Sequence, residues 1–468
     1  MGVLAALGFG CSANPASSGS ARESSGAIAA EAGFVELSPR DVSIHDRPVS
    51  LAAKSEIFYN FRPADHDAAS APVIVLFNGF ASDVVRAFGT GPMSVEADGA
   101  VIANPDSLTQ IANLLYIDPR QSGFSYDVPV GGAAVTDADC SQDVFNEYVD
   151  ASDVLLTTLR FIDAHPALGG KVFWMGESFA GVRISWITAF LRGAWSLAPY
   201  EDETLNRALA SADTARFLNG QILLQPWLAG LAHATAIQDQ CASAVLLGAV
   251  ESSIGQGCPT PDACACATYY SRSAYNYTLS VSEQNARIFA ADAAQVSPAD
   301  AEALYGVKLE TISGLNGAAR ARGFKCNTAD DTTPDQSALV SLLGALPAGQ
   351  SYNLAYSPLT PGKGSDDPDW YDLDLIGAAF LDNAQSIDAF ITDGQRDLVV
   401  PETALAPALR SISGMVTVSE TTDALTLGFP NNPRNVTIRH YPNAGHMISM
   451  IEPHELSTDV RAWLSARN

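Results

Sequence analysis

The sequence predicts an α/β fold: a mostly parallel sheet with helices on both faces and a large insertion partway along the chain. Three observations carry this. Continuous apolar, β-branched runs such as Val73 to Phe77 recur, as in strands buried on both faces. Helix-like stretches with an apolar stripe alternate with those runs. From about residue 192 to 375 the alternation stops.

The elements follow in order. Residues 1–33 read as an export signal and a Ser/Ala/Gly-rich tether, and the fold starts near Phe34. Ser55 to Phe61 alternates as a strand does, and Pro72 to Phe77 is a buried strand. Leu114 to Asp118 is another. Asp139 to His165 reads as one long helix, with Val144, Tyr148, Leu155, Leu159 and Ile162 along one stripe. Lys171 to Met175 is a strand and Val182 to Leu191 a helix. Residues 192–375 are Ala-rich, partly helical and without clear core strands, which suits an inserted lid subdomain. Sheet character returns at Ile387 to Thr392 and Val436 to His440, and Glu452 to Ala466 closes the chain as a helix. The core is thus expected in two parts, 34–191 and 376–468.

The chain has 468 residues, enough for one large core and a second lobe. Its 26 basic and 52 acidic residues give a net charge of -26. Nucleic acid is excluded as a partner, because phosphate binding needs a basic surface. There is no Gly-rich nucleotide loop, so no cofactor is expected.

Met1 to Gly10 is a short apolar run that ends at Cys11, followed by a small and polar tail. The pattern resembles the end of a bacterial lipoprotein signal, with Cys11 lipidated. The run is too short to span a bilayer, so a lipid on Cys11 is the one membrane attachment expected. Six cysteines remain: Cys140, Cys241, Cys258, Cys264, Cys266 and Cys326. An even count fits disulfides in an oxidising compartment and thus an exported, periplasmic, envelope or secreted protein. Their connectivity is open. Zinc on Cys258, Cys264 and Cys266 is the competing reading, but the spacing is not that of a finger and no metal is expected.

Ser178 stands at the tip of Gly176-Glu-Ser-Phe-Ala-Gly181, where an apolar strand runs through small residues into a helix. This is the nucleophile elbow of an α/β-hydrolase, with Ala180 in place of the strict second Gly. A serine nucleophile needs a base to take its proton and an acid to orient that base. Asp393 and Asp397 both follow a predicted strand. His440 and His446 compete for the base, and the Asn443-Ala444-Gly445 run gives His446 a loop free to reach across.

These motifs, taken in order, resemble the serine carboxypeptidases, a branch of the α/β-hydrolases. Leu76-Phe-Asn78-Gly79-Phe80 is similar to the family's Asn-Gly-Gly-Pro-Gly loop. Gly91-Pro92 and Asn104-Pro105 match later landmarks. Asn113 to Tyr126 matches the hallmark strand with its Gly-Phe-Ser-Tyr ending. Gly176-Glu-Ser-Phe-Ala-Gly181 differs from the family elbow by one aromatic swap. Gly394-Gln-Arg-Asp397 followed by Val-Val-Pro401 resembles the Asp loop, and Ala444-Gly-His-Met447 the His loop. The similarity covers about 55–191 and 385–465. Together with the N-terminal pattern, it suggests a divergent bacterial member.

The resemblance implies a triad of Ser178, Asp397 and His446. It implies that Asn78 and Glu177 hold the terminal carboxylate of a peptide, with a shared proton and hence activity at acidic pH. The backbone N–H groups of Phe80 and Phe179 are the expected oxyanion donors. The implied activity is release of C-terminal amino acids through an acyl-enzyme, with peptides bearing a free C-terminus as partners. Two departures stand out. Phe80-Ala-Ser-Asp83 replaces the family's Gly-Pro-Gly-Cys, and Gly89 takes the place of a family acid. With the triad intact, they imply shifted specificity, and an esterase or acyltransferase using the same triad is the alternative.

Overall fold

The computed structural model describes residues 28–79, 89–96, 100–141, 144–193, 200–228, 297–315, 317–326, 373–394 and 405–467. The chain opens with β1 (Glu31–Leu37), β2 (Arg40–Ile44), β3 (Arg47–Leu51), β4 (Lys54–Arg62) and β5 (Val73–Asn78). β6 (Met93–Val95), β7 (Val101–Ala103), β8 (Asn113–Ile117) and β9 (Tyr126–Val128) follow. Helix α1 (Glu147–Ala164), β10 (Val172–Glu177) and α2 (Ala180–Leu191) form the next unit, then β11 (Tyr200–Asp202) and β12 (Gln221–Leu224). The C-terminal part holds α3 (Leu373–Ala384), β13 (Ala389–Gly394), β14 (Val416–Glu420), β15 (Ala424–Gly428) and β16 (Asn435–Tyr441). Helices α4 (Ile448–Ile451) and α5 (Pro453–Ser465) complete it.

The main sheet has the order β1-β4-β8-β5-β10-β12-β13-β16-β15-β14, with β9 also on β4. Its six central strands, β8 to β16, pair in parallel, while β1, β4, β14 and β15 add antiparallel wings. The centre needs crossovers and so needs helices on both faces. The period-2 alternation of strand side chains sorts them. Val73, Val75 and Phe77 of β5 join a core with Leu155, Val182 and Phe380 from α1, α2 and α3. Ile74 and Leu76 join a second core with Val460 and Trp463 of α5. This is an α/β-hydrolase-like arrangement. Among the described residues no helix is long and apolar enough to cross a membrane.

Three expectations are corrected. The predicted helix from Asp139 begins only at Glu147. Asn146 caps it by accepting from the Val149 N–H at 2.9 Å, and residues 137–140 form a separate 3-10 turn. Cys140 at the end of that turn is held by a disulfide to Cys326.

The stretch 192–375 does contain a core strand. β12 lies between β10 and β13 in the middle of the sheet, and all four of its residues are buried. The core therefore runs on past residue 191 to about 228. Four residues are too few to show a periodicity, which is why the strand cannot be read from the sequence.

The chain also packs on the core ahead of Phe34. β1 starts at Glu31, and Ile28 lies against the core.

Much of the expected lid, and four of the cysteines assigned to disulfides, lie outside the described residues. The part at 297–326 packs on the β4 side of the sheet. Asn60 Nδ2 donates to the Tyr305 carbonyl at 2.8 Å, Tyr305 packs on Phe58 and Phe124, and Phe324 bridges to Asp127.

Candidate functional site

Ser178 joins β10 to α2 with φ of 64°, a left-handed conformation that costs a non-glycine residue about 1–3 kcal/mol. Three backbone bonds hold it. Its N–H donates to Leu224 of β12 at 2.9 Å, and its carbonyl accepts from Gly181 and Trp227, both at 2.9 Å. The turn is tight because its neighbours are small. A Cβ on Gly176 would sit 2.4 Å from the Ala180 Cβ and 2.9 Å from the Phe77 carbonyl oxygen. Position 176 therefore has no room for a side chain beside Ala180. Phe179 forms the N-terminal cap of α2, so the helix directs its positive end at the serine.

Asn78 ends β5 beside Glu177, the last residue of β10, in parallel register. Both are fully buried. The Gly79 N–H donates to the Glu177 carbonyl at 2.9 Å. A Cβ built on Gly79 would lie 3.0 Å from the Phe179 nitrogen and 3.3 Å from the Ser178 Cβ. The Asn78–Gly79 segment therefore lies directly against the elbow. Phe80, the other expected oxyanion donor, lies outside the described residues.

His446 is buried in the loop between β16 and α4. Three residues on, Ser449 Oγ donates to Glu177 Oε2 at 2.9 Å, tying that segment to the residue before Ser178. The Ser449 carbonyl oxygen would lie 2.3 Å from a Cβ on Gly89. Position 89 cannot carry an acidic side chain while α4 stays where it is.

Asp397 also lies outside the described residues. The strand that leads to it ends at Gly394, where a Cβ would sit 2.7 Å from the Gly445 carbonyl oxygen, so that strand end and the His446 loop are neighbours. Gln225, just past β12, accepts from the Gly394 N–H at 2.5 Å and donates its own backbone N–H to Thr392 Oγ1 at 3.0 Å. Asp393 and His440 face each other on β13 and β16, with Asp393 Oδ2 2.7 Å from His440 Nδ1. The hydrogen bond to Asp393 raises the His440 pKa against the opposing effect of burial.

Behind the elbow lies Arg183, one turn into α2 and buried. Its guanidinium bonds to Asp150 of α1 and donates to the Asn78 carbonyl at 2.6 Å. Burial pushes the Asp150 carboxyl up despite the pull of Arg183. Around the hallmark strand, Asp127 accepts from Arg120 at 3.0 Å, Gln121 at 2.7 Å and Ser55 at 2.6 Å. These buried bonds shape the loop that follows β8. No group of three or more His, Cys, Asp or Glu among the described residues is placed to hold a metal. The three cysteines of the zinc alternative lie outside them.

Sequence reasoning missed Arg183, Ser449 and Gln225. Arg183 had a signal, as the one charge in an otherwise apolar and small helix. Ser449 and Gln225 had none, since only the crossing of elements makes them neighbours of the elbow.

Comparison with known proteins adds the following. A family model described as serine carboxypeptidase matches residues 32–193, a stretch that includes Asn78, Glu177 and Ser178 and stops before Asp397 and His446. Serine carboxypeptidase S10 family member 1 of Dictyostelium discoideum is 28% identical over 138 residues, 28% of this chain and 31% of that protein. Probable serine carboxypeptidase CPVL of Rattus norvegicus is 26% identical over 171 residues, 36% of this chain and 34% of that one. The chain thus spans about a third of the length of these curated relatives. The structure of Kex1(Δ)p, a prohormone-processing carboxypeptidase from Saccharomyces cerevisiae, superposes with a TM-score of 0.50 at 15% identity. That superposition covers 93% of this chain and 91% of that one. At such identity it speaks for the fold alone. The chain is serine-carboxypeptidase-like over its matched region, on an α/β-hydrolase-like fold. None of these three relatives is bacterial.

Proposed function

We propose that this chain is a serine carboxypeptidase. Ser178 Oγ attacks the carbonyl of the last peptide bond, and His446 takes the serine proton. The C–N bond then breaks, His446 returns the proton to the departing amino acid, and water resolves the acyl-enzyme by the same steps. Asp397 fixes the imidazole, the backbone N–H groups of Phe80 and Phe179 meet the oxyanion, and Asn78 and Glu177 hold the free carboxylate. Phe80 and Asp397 enter on the sequence resemblance. The observation that carries the reading is the left-handed Ser178 at the start of α2, with Glu177 beside it bonded to the segment that bears His446.

The test offers a blocked dipeptide with a free C-terminus, its C-terminal amide and a simple ester to the wild type and to Ser178→Ala. Preference for the free acid, lost in the variant, is expected. Activity that survives in Ser178→Ala overturns the assignment. Equal use of acid and amide, or of ester alone, favours an esterase or acyltransferase. That second reading draws support from Gly89, where the Ser449 carbonyl leaves no room for an acid. Export with lipid on Cys11 belongs to the same proposal, and the mass of the mature N-terminus from the native host decides it.

A further inference from the structure

Arg183 is buried, with 1% of its side chain exposed, and so is Asp150, with 6%. Removing two ions from water costs several kcal/mol each unless close partners replace the solvent. The cation also stands in the first turn of α2, where the helix dipole disfavours it. A residue placed against both penalties has its contacts as the explanation. Nε bonds to Asp150 Oδ2. Nη1 donates to the Asn78 carbonyl at 2.6 Å and Nη2 reaches the Gly79 carbonyl at 3.4 Å. The guanidinium carbon lies 5.0 Å over the Phe179 ring. One side chain thus touches the segment on one side of Ser178 and the residue on the other.

We propose that Arg183, clamped by Asp150, is a positioning residue for acyl transfer. It holds the Asn78–Gly79 backbone, which lies against Ser178 and Phe179, in place for the transition state. The proposal rests on Ser178 being the nucleophile, as in the proposed function, and is indifferent to whether the acyl donor is a peptide or an ester. A peptide group is planar, so fixing the Asn78 carbonyl fixes the Gly79 N–H that bonds to Glu177. Preorganised dipoles act on the transition state more than on the bound substrate. The effect therefore belongs in kcat.

The experiment compares wild type with Arg183→Met, Arg183→Lys and Asp150→Asn. Active sites are counted by titration with a serine-reactive fluorophosphonate, and kcat per titrated site and KM are measured on a free-acid dipeptide and on an ester. Arg183→Met should lose about 100- to 1,000-fold in kcat per site, the range found for lost oxyanion stabilisation, with KM on the ester within about threefold. Affinity for a boronic acid that forms a tetrahedral serine adduct should fall in parallel, and Arg183→Lys should recover part of both. A purely structural role lowers thermal stability and the number of titratable sites but leaves kcat per site unchanged, and that result overturns the proposal. Should Arg183→Met not fold, Arg183→Lys and Asp150→Asn decide on the same readouts.

Failure of the carboxypeptidase reading looks different, since the wild type then prefers the ester and the Arg183 effect is read there. Should neither substrate turn over, the rate of phosphonylation of Ser178 serves as kcat does. Absence of labelling at Ser178 in the wild type overturns both.

Discussion

The Ser449 hydroxyl donates a 2.9 Å hydrogen bond to the Glu177 carboxylate, and both residues are buried. The bond joins two segments 272 residues apart. It brings the helix after His446 to the strand end that carries Ser178. A donor on a buried carboxylate contributes about 1.5–3 kcal/mol, and its loss leaves the group to reorient.

Ser449→Ala should therefore act on the binding of a free carboxylate. KM for free-acid dipeptides is expected to rise about 10- to 150-fold, with kcat on simple esters within about twofold. Steady-state kinetics on the two substrates checks this. An equal loss on both would assign Ser449 to the elbow instead.

The elbow leaves no space behind it. Gly176→Ala would place a Cβ 2.4 Å from that of Ala180. Overpacking of this kind costs about 1–3 kcal/mol and moves backbone. Thermal melts should show lower stability, and kcat should fall because Ser178 shifts with its turn.

The Cys140–Cys326 disulfide closes a loop of 186 residues, so its removal should cost about 2–5 kcal/mol. Cys140→Ser with Cys326→Ser should lower the denaturant midpoint. Hydrolysis of a simple ester should persist, since Cys326 bonds to Gln121 and follows Phe324, which pairs with Asp127 of β9, and none of these is a proposed catalytic residue. Loss of ester turnover in the folded double variant would place the bridge within the catalytic apparatus.

Glu56 predicts a pH dependence of stability. Burial, then repulsion from Glu36 across the β1–β4 pair, raises its pKa to about 7. The folded state holds this proton more tightly than the unfolded chain, whose Glu titrates at 4.5. Its contribution is full below that value and is lost as pH rises to about 7. Glu56→Gln should match the wild type at about pH 4 and exceed it at about pH 8 by about 1–3 kcal/mol. Denaturant curves at the two pH values measure this, and parallel curves would refute it.

Much of the sheet was legible because its strands are apolar on both faces. Val73 to Asn78 and Val172 to Glu177 stand close to where their residues predict. The elbow was legible for a local reason: Gly176, Ser178, Ala180 and Gly181 lie within six residues, and their small size is the signal. β12 was not legible, because a four-residue strand followed by Gln225 and Pro226 has no period to read. The helix start at Glu147 was misread because Val144 is buried by position and not by helical periodicity.

The sequence by itself determined the fold class, the serine at a tight turn and the candidates for its partners, because each is written in neighbouring residues. The tertiary structure added how some of those candidates are held. Asp393 and His440 lie 47 residues apart, and the parallel register of β13 and β16 is what binds them to each other. In the same way Arg183 became the clamp on Asn78, and Ser449 the partner of Glu177, through contacts spanning 105 and 272 residues. Such contacts depend on where whole strands and helices cross. That is set by how the two cores pack, and no local pattern of residues records it.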